Sequence, residues 1–208
     1  IGSGQVIPSP LSRVNSAIAD GSFFQNQAFL SAIAHAREHN SKLHLIGMIS
    51  SAGVHAELDH LINLLILANQ QQLKTVFIHP ILDGRDTGPR DGQIYLTQLV
   101  EAIKKLGLGQ IASISGRAFA MDRNANWLLT QQYYQVLTGS SPVSDLDPLS
   151  CLLSSYTSDH DDETTPPTLI NTSGTLSPND AVILTNFRPD RVRQIVHSLV
   201  DSDFSHFP

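Results

Sequence analysis

Short apolar runs alternate with longer segments of helical spacing along this 208-residue chain. Four apolar runs of seven or eight residues have the length and polar borders typical of buried strands. They cover residues 43–49, 75–82, 109–115 and 181–187, and Pro80 weakens the prediction only for the end of the second run. Apolar residues that recur at intervals of three and four predict helices between the strands. The predicted helices cover residues 27–39, 57–72, 91–106, 123–137 and 190–200.

Residues 139–180 break this alternation. They are rich in Ser, Thr, Pro and Asp, so we predict long loops there, with room for one short helix around Cys151. Elsewhere the alternation indicates an α/β fold with a largely parallel or mixed central sheet flanked by helices. The length fits a single domain with a sizeable core. The chain opens with Ile1 and stops at Pro208, and we expect both ends to be cuts within a longer protein.

Ionisable residues follow each of the four predicted strands. His55 comes after the first strand, residues 83–86 after the second, residues 116–123 after the third and residues 188–191 after the fourth. Five of the nine arginines lie in these segments. Because ligands of such sheets bind beyond the carboxyl ends of the strands, we expect these residues to form one site.

The residue types in these segments favour an anionic ligand. An arginine guanidinium presents a planar fork of donors that fits two oxygens of a carboxylate or a phosphate. Five arginines and His55 would make a strongly positive pocket, suited to a ligand with several anionic groups, such as a phosphorylated carboxylic acid. Asp86 should stay ionised there and orient or deprotonate a substrate hydroxyl. Arg188 and Arg191 are expected on one side of a helix N-terminus, where backbone N–H groups also bind anions.

Each of these residues also has a purely structural interpretation, and co-location at four strand ends is what argues for function. Asp83 and Gly84 alone form an ordinary turn, and His55 alone is a polar loop residue. The remaining structural readings are a local Asp122–Arg123 salt bridge, a satisfied core histidine at His79, an inert thiol at Cys151 and a solvated acidic loop over residues 159–163. His55 and His60 are five residues apart and lie on different helical faces, so no metal site is expected between them.

Composition excludes several classes of protein. The net charge of −6 argues against a general nucleic-acid-binding surface. No apolar run approaches the roughly 20 residues of a membrane span. The single cysteine excludes an internal disulfide framework and fits a reducing compartment such as the cytoplasm. A small-molecule partner, rather than nucleic acid or a membrane, is therefore expected.

Six segments of the sequence resemble the cofactor-independent (2,3-bisphosphoglycerate-independent) phosphoglycerate mutase family, in the same order and spacing. The resemblance covers nearly the whole chain and is weakest over residues 139–180. The segments are residues 44–47 (HLIG), 53–55 (GVH), 82–86 (LDGRD), 110–117 (QIASISGR), 120–123 (AMDR) and 186–191 (NFRPDR).

The resemblance implies a glycolytic isomerase of the alkaline-phosphatase-like superfamily that interconverts 3-phosphoglycerate and 2-phosphoglycerate. That family has a phosphatase-like domain, with two manganese ions and a serine nucleophile, and an inserted domain that grips the substrate. Residues 1–208 resemble the inserted domain alone. The metal ligands are therefore expected outside this chain, and the isolated chain is expected to be inactive. The resemblance also implies a cytoplasmic monomer whose main partner is the phosphatase-like domain of the same protein.

The resemblance further assigns substrate-binding roles residue by residue. It places Arg117 and Arg123 on the carboxylate and hydroxyl end, Arg188 and Arg191 on the phosphoryl group, and Asp86 as general base toward the accepting hydroxyl. His55 would hold or polarise the phosphoryl group. The complete implied set is His55, Arg85, Asp86, Arg117, Arg123, Arg188 and Arg191.

The chain departs from the family pattern beside two of these positions. Ser51 and Glu57 stand where the family usually has Asp and a second His, and residues 124–127 (NANW) replace Asp-x-Arg-Trp. The charged residues around Thr164 are also poorly kept. These changes leave open a working enzyme, a non-catalytic phospho-acid binding module or degenerate copy, and a different phosphoryl-transfer specificity on the same scaffold.

Overall fold

The central sheet contains the four predicted strands. The computed structural model describes residue 4 and residues 7–208, so the expectation about Ile1 lies outside the described residues. The strands are β1 (Leu43–Met48), β2 (Val76–Leu82), β3 (Gln110–Ile111), β4 (Ser113–Gly116), β5 (Thr168–Leu169) and β6 (Ala181–Leu184). Their order in space is β5-β4-β2-β1-β6, and β3 pairs with β2. The third predicted strand is therefore two short strands, and Pro80 lies inside β2.

Pairing between the strands confirms a largely parallel, mixed sheet. β1 pairs in parallel with β2 and with β6, and β2 pairs in parallel with β3 and β4. Only the short β5, within the described residues, pairs antiparallel, and its partner is β4. The carboxyl ends of β4, β2, β1 and β6 consequently lie side by side along one edge of the sheet.

Helices cover both faces of the sheet, as predicted. They are α1 (Pro10–Asp20), α2 (Gln27–Glu38), α3 (Leu58–Gln70), α4 (Gly92–Leu106), α5 (Arg117–Ala120), α6 (Trp127–Thr138), α7 (Pro148–Thr157) and α8 (Arg193–Val200). Two predicted helices begin later than expected, at Trp127 and Arg193, because loops that carry site residues precede them. No helix among residues 7–208 has the length and apolar character needed to cross a membrane.

The alternation of side chains along β1 divides the core into two layers. Leu43 and Leu45 pack with α2, α3, α4 and α7 on one face of the sheet. Ile46 and Met48 pack with α5, α6 and α8 on the other. The strands between these layers are buried throughout β1 and β2, as is typical of a parallel sheet with helices on both sides.

The first helix was not predicted from the hydrophobic pattern. Ser9 caps α1 by accepting a hydrogen bond from the Ser12 N–H, and Pro10 occupies the first turn. Gly21 ends the helix at a φ of 82°. None of the residues of α1 is fully buried, but Val14, Ala17 and Ile18 recur at helical spacing and pack against the core.

The segment 139–180 is more ordered than predicted. The expected short helix around Cys151 is confirmed as α7, which Asp147 caps. The segment also supplies β5 to the sheet, which the sequence did not indicate. The prediction of a solvated acidic loop over residues 159–163 is wrong for Asp162, whose side chain is fully buried.

A chain of buried polar side chains crosses the sheet near the amino ends of its strands. The Asp180 carboxylate lies 3.2 Å from His44 Nε2, and His44 Nδ1 lies 3.0 Å from His79 Nε2. His79 Nδ1 lies 2.8 Å from the Ser113 hydroxyl. His79 is therefore a satisfied core histidine, as predicted. Burial lowers the pKa of both histidines.

Candidate functional site

A buried ion-pair cluster forms the floor of the carboxyl edge of the sheet. Arg117, directly after β4, places its Nη1 atom 2.5 Å from Asp83 Oδ1 and 2.6 Å from Asp86 Oδ2. The side chains of Arg117 and Asp83 are 3% and 1% exposed, whereas that of Asp86 is 23% exposed. Asp86 is thus the one of the two carboxylates in this cluster that faces outward.

Asp83 is held in its ionised form by several donors. Burial alone would raise the pKa of Asp83, but hydrogen bonds from the Ser50 hydroxyl, the Asp86 N–H and the Arg117 guanidinium outweigh it and lower this pKa. The Ser50 hydroxyl donates to Asp83 Oδ2 over 2.7 Å, and the Asp86 N–H lies 3.1 Å from Oδ1. The turn predicted at Asp83 therefore also anchors Arg117.

His55 lies in the loop after β1, against this cluster, and is only 2% exposed. Its Nε2 atom lies 3.8 Å from Asp86 Oδ2, and its Nδ1 atom is buried without a hydrogen-bond partner. Burial, together with the charges of Arg117 and Arg188, lowers the pKa of His55, so the ring is neutral near pH 7. The His55 carbonyl accepts a hydrogen bond from the Phe187 N–H, which ties this loop to the end of β6.

A second ion-pair cluster forms the outer rim. Asp190 accepts a hydrogen bond from Arg123 Nη1 over 2.8 Å and another from Arg188 Nε over 2.8 Å. Burial opposes ionisation of Asp190, but the hydrogen bonds from Arg188 and Arg123 together outweigh it and lower the pKa of Asp190. Both arginine side chains are 45% exposed, so they can reach a ligand from solvent.

Arg191 lies between the two clusters. Its Nε atom is buried and has no hydrogen-bond partner among the described residues. Burial and the neighbouring charges of Arg123, Arg117 and Arg85 lower the pKa of Arg191, which places it close to three other guanidinium groups. An anionic group of a ligand could accept a hydrogen bond from this unpaired donor and would offset the surrounding positive charge.

The pocket is less positive than the sequence predicted. The five arginines face four carboxylates, Asp83, Asp86, Asp190 and Glu163, which leaves a formal excess of one positive charge. Arg85 is the most exposed of the five, and its Nη1 atom lies 3.7 Å from Glu163 Oε1. The prediction counted the positive charges of the arginines and His55 without subtracting these carboxylates, although three of the four lie within two residues of an arginine in sequence.

Two local predictions near the rim are wrong. Asp122 does not pair with Arg123; its carboxylate accepts hydrogen bonds from the backbone N–H groups of Asn124 and Asn126 and from the Gln194 side chain. Arg188 precedes a short 3₁₀ turn, Pro189–Arg191, of which Arg191 is the last residue, and α8 begins two residues later at Arg193. The two arginines therefore do not share the N-terminus of a full helix.

All seven predicted residues lie at this edge of the sheet. The structure joins Arg117 with Asp86 and His55, and it joins Arg123 with Arg188. The sequence reasoning missed Asp190 as the bridge between two arginines, and Ser50 and Asp83 as supports for Arg117. A signal for Asp190 was available, because it lies between two arginines of the same motif.

No group of three or more His, Cys, Asp or Glu side chains within residues 7–208 converges in a way that could hold a metal ion. The residues present therefore do not fit the manganese ions that the resemblance implies. Cys151 is buried, and burial raises the pKa of its thiol, which agrees with the prediction that it is inert.

A separate cavity of about 350 Å³ lies beside β6, between α1 and α3. Its walls are mainly apolar and include Phe23, Phe29 and Phe187. None of the seven predicted residues lines it. The convergence of charge therefore favours the carboxyl edge of the sheet as the functional site.

Comparisons with known proteins identify the family and agree with the fold. The family described as "BPG-independent PGAM N-terminus" matches residues 14–208. The chain is 41% identical over 208 residues to a 2,3-bisphosphoglycerate-independent phosphoglycerate mutase of Synechocystis, and 41% identical over 211 residues to one of Moorella thermoacetica. Each alignment covers the whole of this chain but only 39% and 41% of the relatives.

A solved structure has the same fold. It is a crystal structure of Leishmania mexicana phosphoglycerate mutase at low cobalt concentration, with a TM-score of 0.92 and 26% sequence identity. The match covers 99% of this chain and 40% of that one. The chain thus spans about 40% of the length of the relatives that it matches.

Proposed function

The chain belongs to the family of N-terminal domains of BPG-independent phosphoglycerate mutases, and on this premise we propose that the carboxyl edge of its sheet binds 3-phosphoglycerate and 2-phosphoglycerate. The observation that carries the proposal is the convergence of five arginines and His55 from four strand ends onto one rim. A phosphoglycerate has two anionic ends and a hydroxyl, and this edge of the sheet has donors in two separate clusters, the floor and the outer rim.

The arginines at this edge of the sheet can serve both ends of such a ligand. Arg117 uses only its Nη1 atom in the hydrogen bonds it makes within the described part of the chain, so its other nitrogens can meet the carboxylate end. Arg123 would join it there. Arg188 and Arg191 would bind the phosphoryl group, for which the buried, unpaired Nε atom of Arg191 is a ready donor. Guanidinium pairs with phosphate and carboxylate are among the strongest hydrogen-bonded ion pairs.

Binding at the rim requires a rearrangement of Asp190. In the structure its carboxylate occupies donors of both Arg123 and Arg188. A ligand anion would compete with this carboxylate for the same donors. Because both arginines are half exposed, the exchange needs no change in the buried floor.

Asp86 is proposed as the general base toward the accepting hydroxyl. It is the outward-facing carboxylate of the floor, and it lies between Arg117 and His55. A base must be within hydrogen-bond reach of the proton that it removes, and a hydroxyl held between the two clusters would be so placed. Neutral His55 would orient the phosphoryl group without adding charge.

The activity of the whole protein is a further part of the proposal. It would interconvert the two phosphoglycerates in glycolysis through a phosphorylated serine, with that serine, the manganese ligands and a phosphatase-like domain contributed by residues beyond this chain. A cytoplasmic, monomeric enzyme of the alkaline-phosphatase-like superfamily is proposed on the same resemblance. The chain studied alone is proposed to bind substrate without turnover, and turnover of 3-phosphoglycerate by the purified chain would refute this.

The binding proposal is tested by titrating the chain with 3-phosphoglycerate, using calorimetry or amide chemical shifts. Arg188→Ala should weaken binding by roughly 2–5 kcal/mol, the usual effect of removing one partner of a charge-assisted contact. Arg37→Ala is the matched control, because it removes the same charge at the end of α2, near the opposite edge of the sheet. Equal affinity of the two variants would remove Arg188 from the site.

A second candidate function is a non-catalytic phospho-acid binding module. The contacts of the loop after β1 favour it, because the residues that replace the usual Asp and His are engaged within the fold. Ser51 shares a hydrogen bond of 2.7 Å with the Tyr95 hydroxyl, and Glu57 lies 3.5 Å from His60. Mutase activity of the full-length protein would exclude this candidate, whereas binding without activity would favour it.

A further inference from the structure

Asp162 is a buried carboxylate that the proposed chemistry does not use. Its side chain is fully buried, although it lies in the acidic run of residues 159–163. One carboxylate oxygen accepts a hydrogen bond from the Tyr156 hydroxyl, and the other accepts one of 2.7 Å from the Gly92 N–H. Burial raises the pKa of Asp162 to about 6, which shows that these two donors do not fully compensate for the loss of water.

Residues 162–165, here called the strap, run behind both loops that build the floor of the site. The Asp162 N–H donates to the Pro89 carbonyl over 2.8 Å, next to the loop that carries Arg85 and Asp86. The Glu163 carbonyl accepts a hydrogen bond from the Ala118 N–H, and the Thr165 carbonyl accepts one from the Gly116 N–H. These last two bonds enclose Arg117 on either side.

Two glycines show how closely the strap approaches these loops. A Cβ atom at Gly84 would lie 2.6 Å from the Glu163 backbone nitrogen, and Gly84 also has a φ of 68°. A Cβ atom at Gly116 would overlap the Glu163 carbonyl oxygen. The strap is therefore in direct backbone contact with the residues next to Arg85 and Arg117, and its position determines theirs.

We propose that Asp162, with Tyr156, is a positioning residue for the carboxylate-binding half of the site. Its two hydrogen bonds tie the strap to α7 and to the start of α4, and the strap in turn fixes Arg117, Asp86 and Arg85. This inference rests on the proposed binding of phosphoglycerate. It assigns no contact between Asp162 and the ligand.

No hydrogen bond or ion pair among residues 7–208 joins the strap to Arg188 or Arg191. Both arginines follow β6, which pairs with β1 on the side away from β2 and β4, and Arg188 pairs with Asp190. Loss of the Asp162 anchor should therefore impair recognition of the carboxylate and hydroxyl end and spare recognition of phosphate. A general loss of structure would impair both.

The test compares two probes, 3-phosphoglycerate and inorganic phosphate, titrated into the chain and followed by amide chemical shifts. Asp162→Asn keeps the size of the side chain but directs an amide NH₂ at one of its two donors. It should weaken phosphoglycerate binding about tenfold, at the lower end of the effect of losing a supporting partner. Its affinity for inorganic phosphate should be unchanged. Asp159→Asn is the matched control, since Asp159 is exposed and its φ of 63° suits Asn.

Tyr156→Phe provides a second, milder variant in case Asp162→Asn does not fold. It removes one donor, leaves the bond from the Gly92 N–H, and should shift selectivity in the same direction. Unchanged phosphoglycerate affinity in a folded variant, or equal losses for both probes, would overturn the positioning role. If the unmutated chain does not bind 3-phosphoglycerate at all, the proposed function fails, and the positioning role fails with it.

Discussion

Replacing Arg117 by Ala should destabilise the fold far more than replacing Arg85. Arg117 is the cation shared by Asp83 and Asp86, and its side chain is only 3% exposed. Its removal leaves two neighbouring carboxylates without their common partner. Breaking a buried ion pair from one side typically costs about 3–5 kcal/mol. Because the Ser50 hydroxyl and backbone N–H groups still bind Asp83, we expect about 3 kcal/mol, the lower end of this range.

The assay is urea unfolding followed by circular dichroism, with Arg85→Ala as the matched control. Arg85 is 53% exposed and lies 3.7 Å from its carboxylate, so its loss should cost less than about 1 kcal/mol. The pH dependence provides an independent check. The pKa of Asp83 is lowered in the folded state, so the stability it contributes is present above its unfolded pKa and is lost as the pH falls. The cost of Arg117→Ala should therefore shrink as the pH falls below about 4, the usual pKa of an aspartate in an unfolded chain.

Two results would refute this reasoning. Equal destabilisation by Arg117→Ala and Arg85→Ala would show that the buried cluster contributes no more than an exposed pair. A cost that stays constant as the pH falls would show that it arises from lost packing rather than from an unpaired charge. Adding Asp83→Asn to the Arg117→Ala variant should recover part of the lost stability, since it removes the uncompensated charge.

Three further predictions follow from burial and packing. Burial lowers the pKa values of His44 and His79, so the free energy of unfolding should fall as the pH drops below about 6.5. The slope should reach up to about 1.4 kcal/mol per pH unit for each group. Urea midpoints measured across this pH range give the slope, and His79→Gln should reduce it. Gly116→Ala should lower the free energy of unfolding by about 1–3 kcal/mol, because its Cβ meets the strap backbone; a melting temperature equal to that of the unmutated chain would contradict the close approach. Cys151 is buried, so it should react with a thiol reagent only as fast as the chain opens, and burial also raises the pKa of its thiol. Labelling of the native chain at the rate of an unfolded control would contradict this.

The sheet and the position of the site could be predicted from the sequence because both depend on local patterns. The apolar runs of β1 and β2 are buried on both faces, so they stand out in the sequence. Parallel pairing then brings the four strand ends together, which placed His55, Arg117 and Arg188 correctly. The fine structure of the rim could not be predicted in this way, because Asp190 and Arg123 are 67 residues apart and meet only in the folded chain.

The elements that were not predicted differ in their local signals, since α1 has a capping serine, a proline in its first turn and a terminal glycine, whereas β5 is too short to show a pattern. Helix α1 has no fully buried residue, and β5 has only two residues. Asp162 appeared solvated because its neighbours Asp159, which is exposed, and Asp161, which is partly exposed, are equally acidic. Its burial depends on the Tyr156 hydroxyl and the Gly92 N–H, and the latter is 70 residues away along the chain.

Because β1 pairs with β6, the sheet cannot be completed until the last part of the chain has been synthesised. The Lys42 N–H at the start of β1 binds the Asp180 carboxylate, 138 residues later. At the usual speed of about 5–20 residues per second, a ribosome needs on the order of ten seconds to bridge that interval. During this time one edge of β1 has no neighbouring strand, and residues 188–191 have not yet been made. We therefore expect nascent chains that end before β6 to need chaperone protection and to have no affinity for phosphoglycerate.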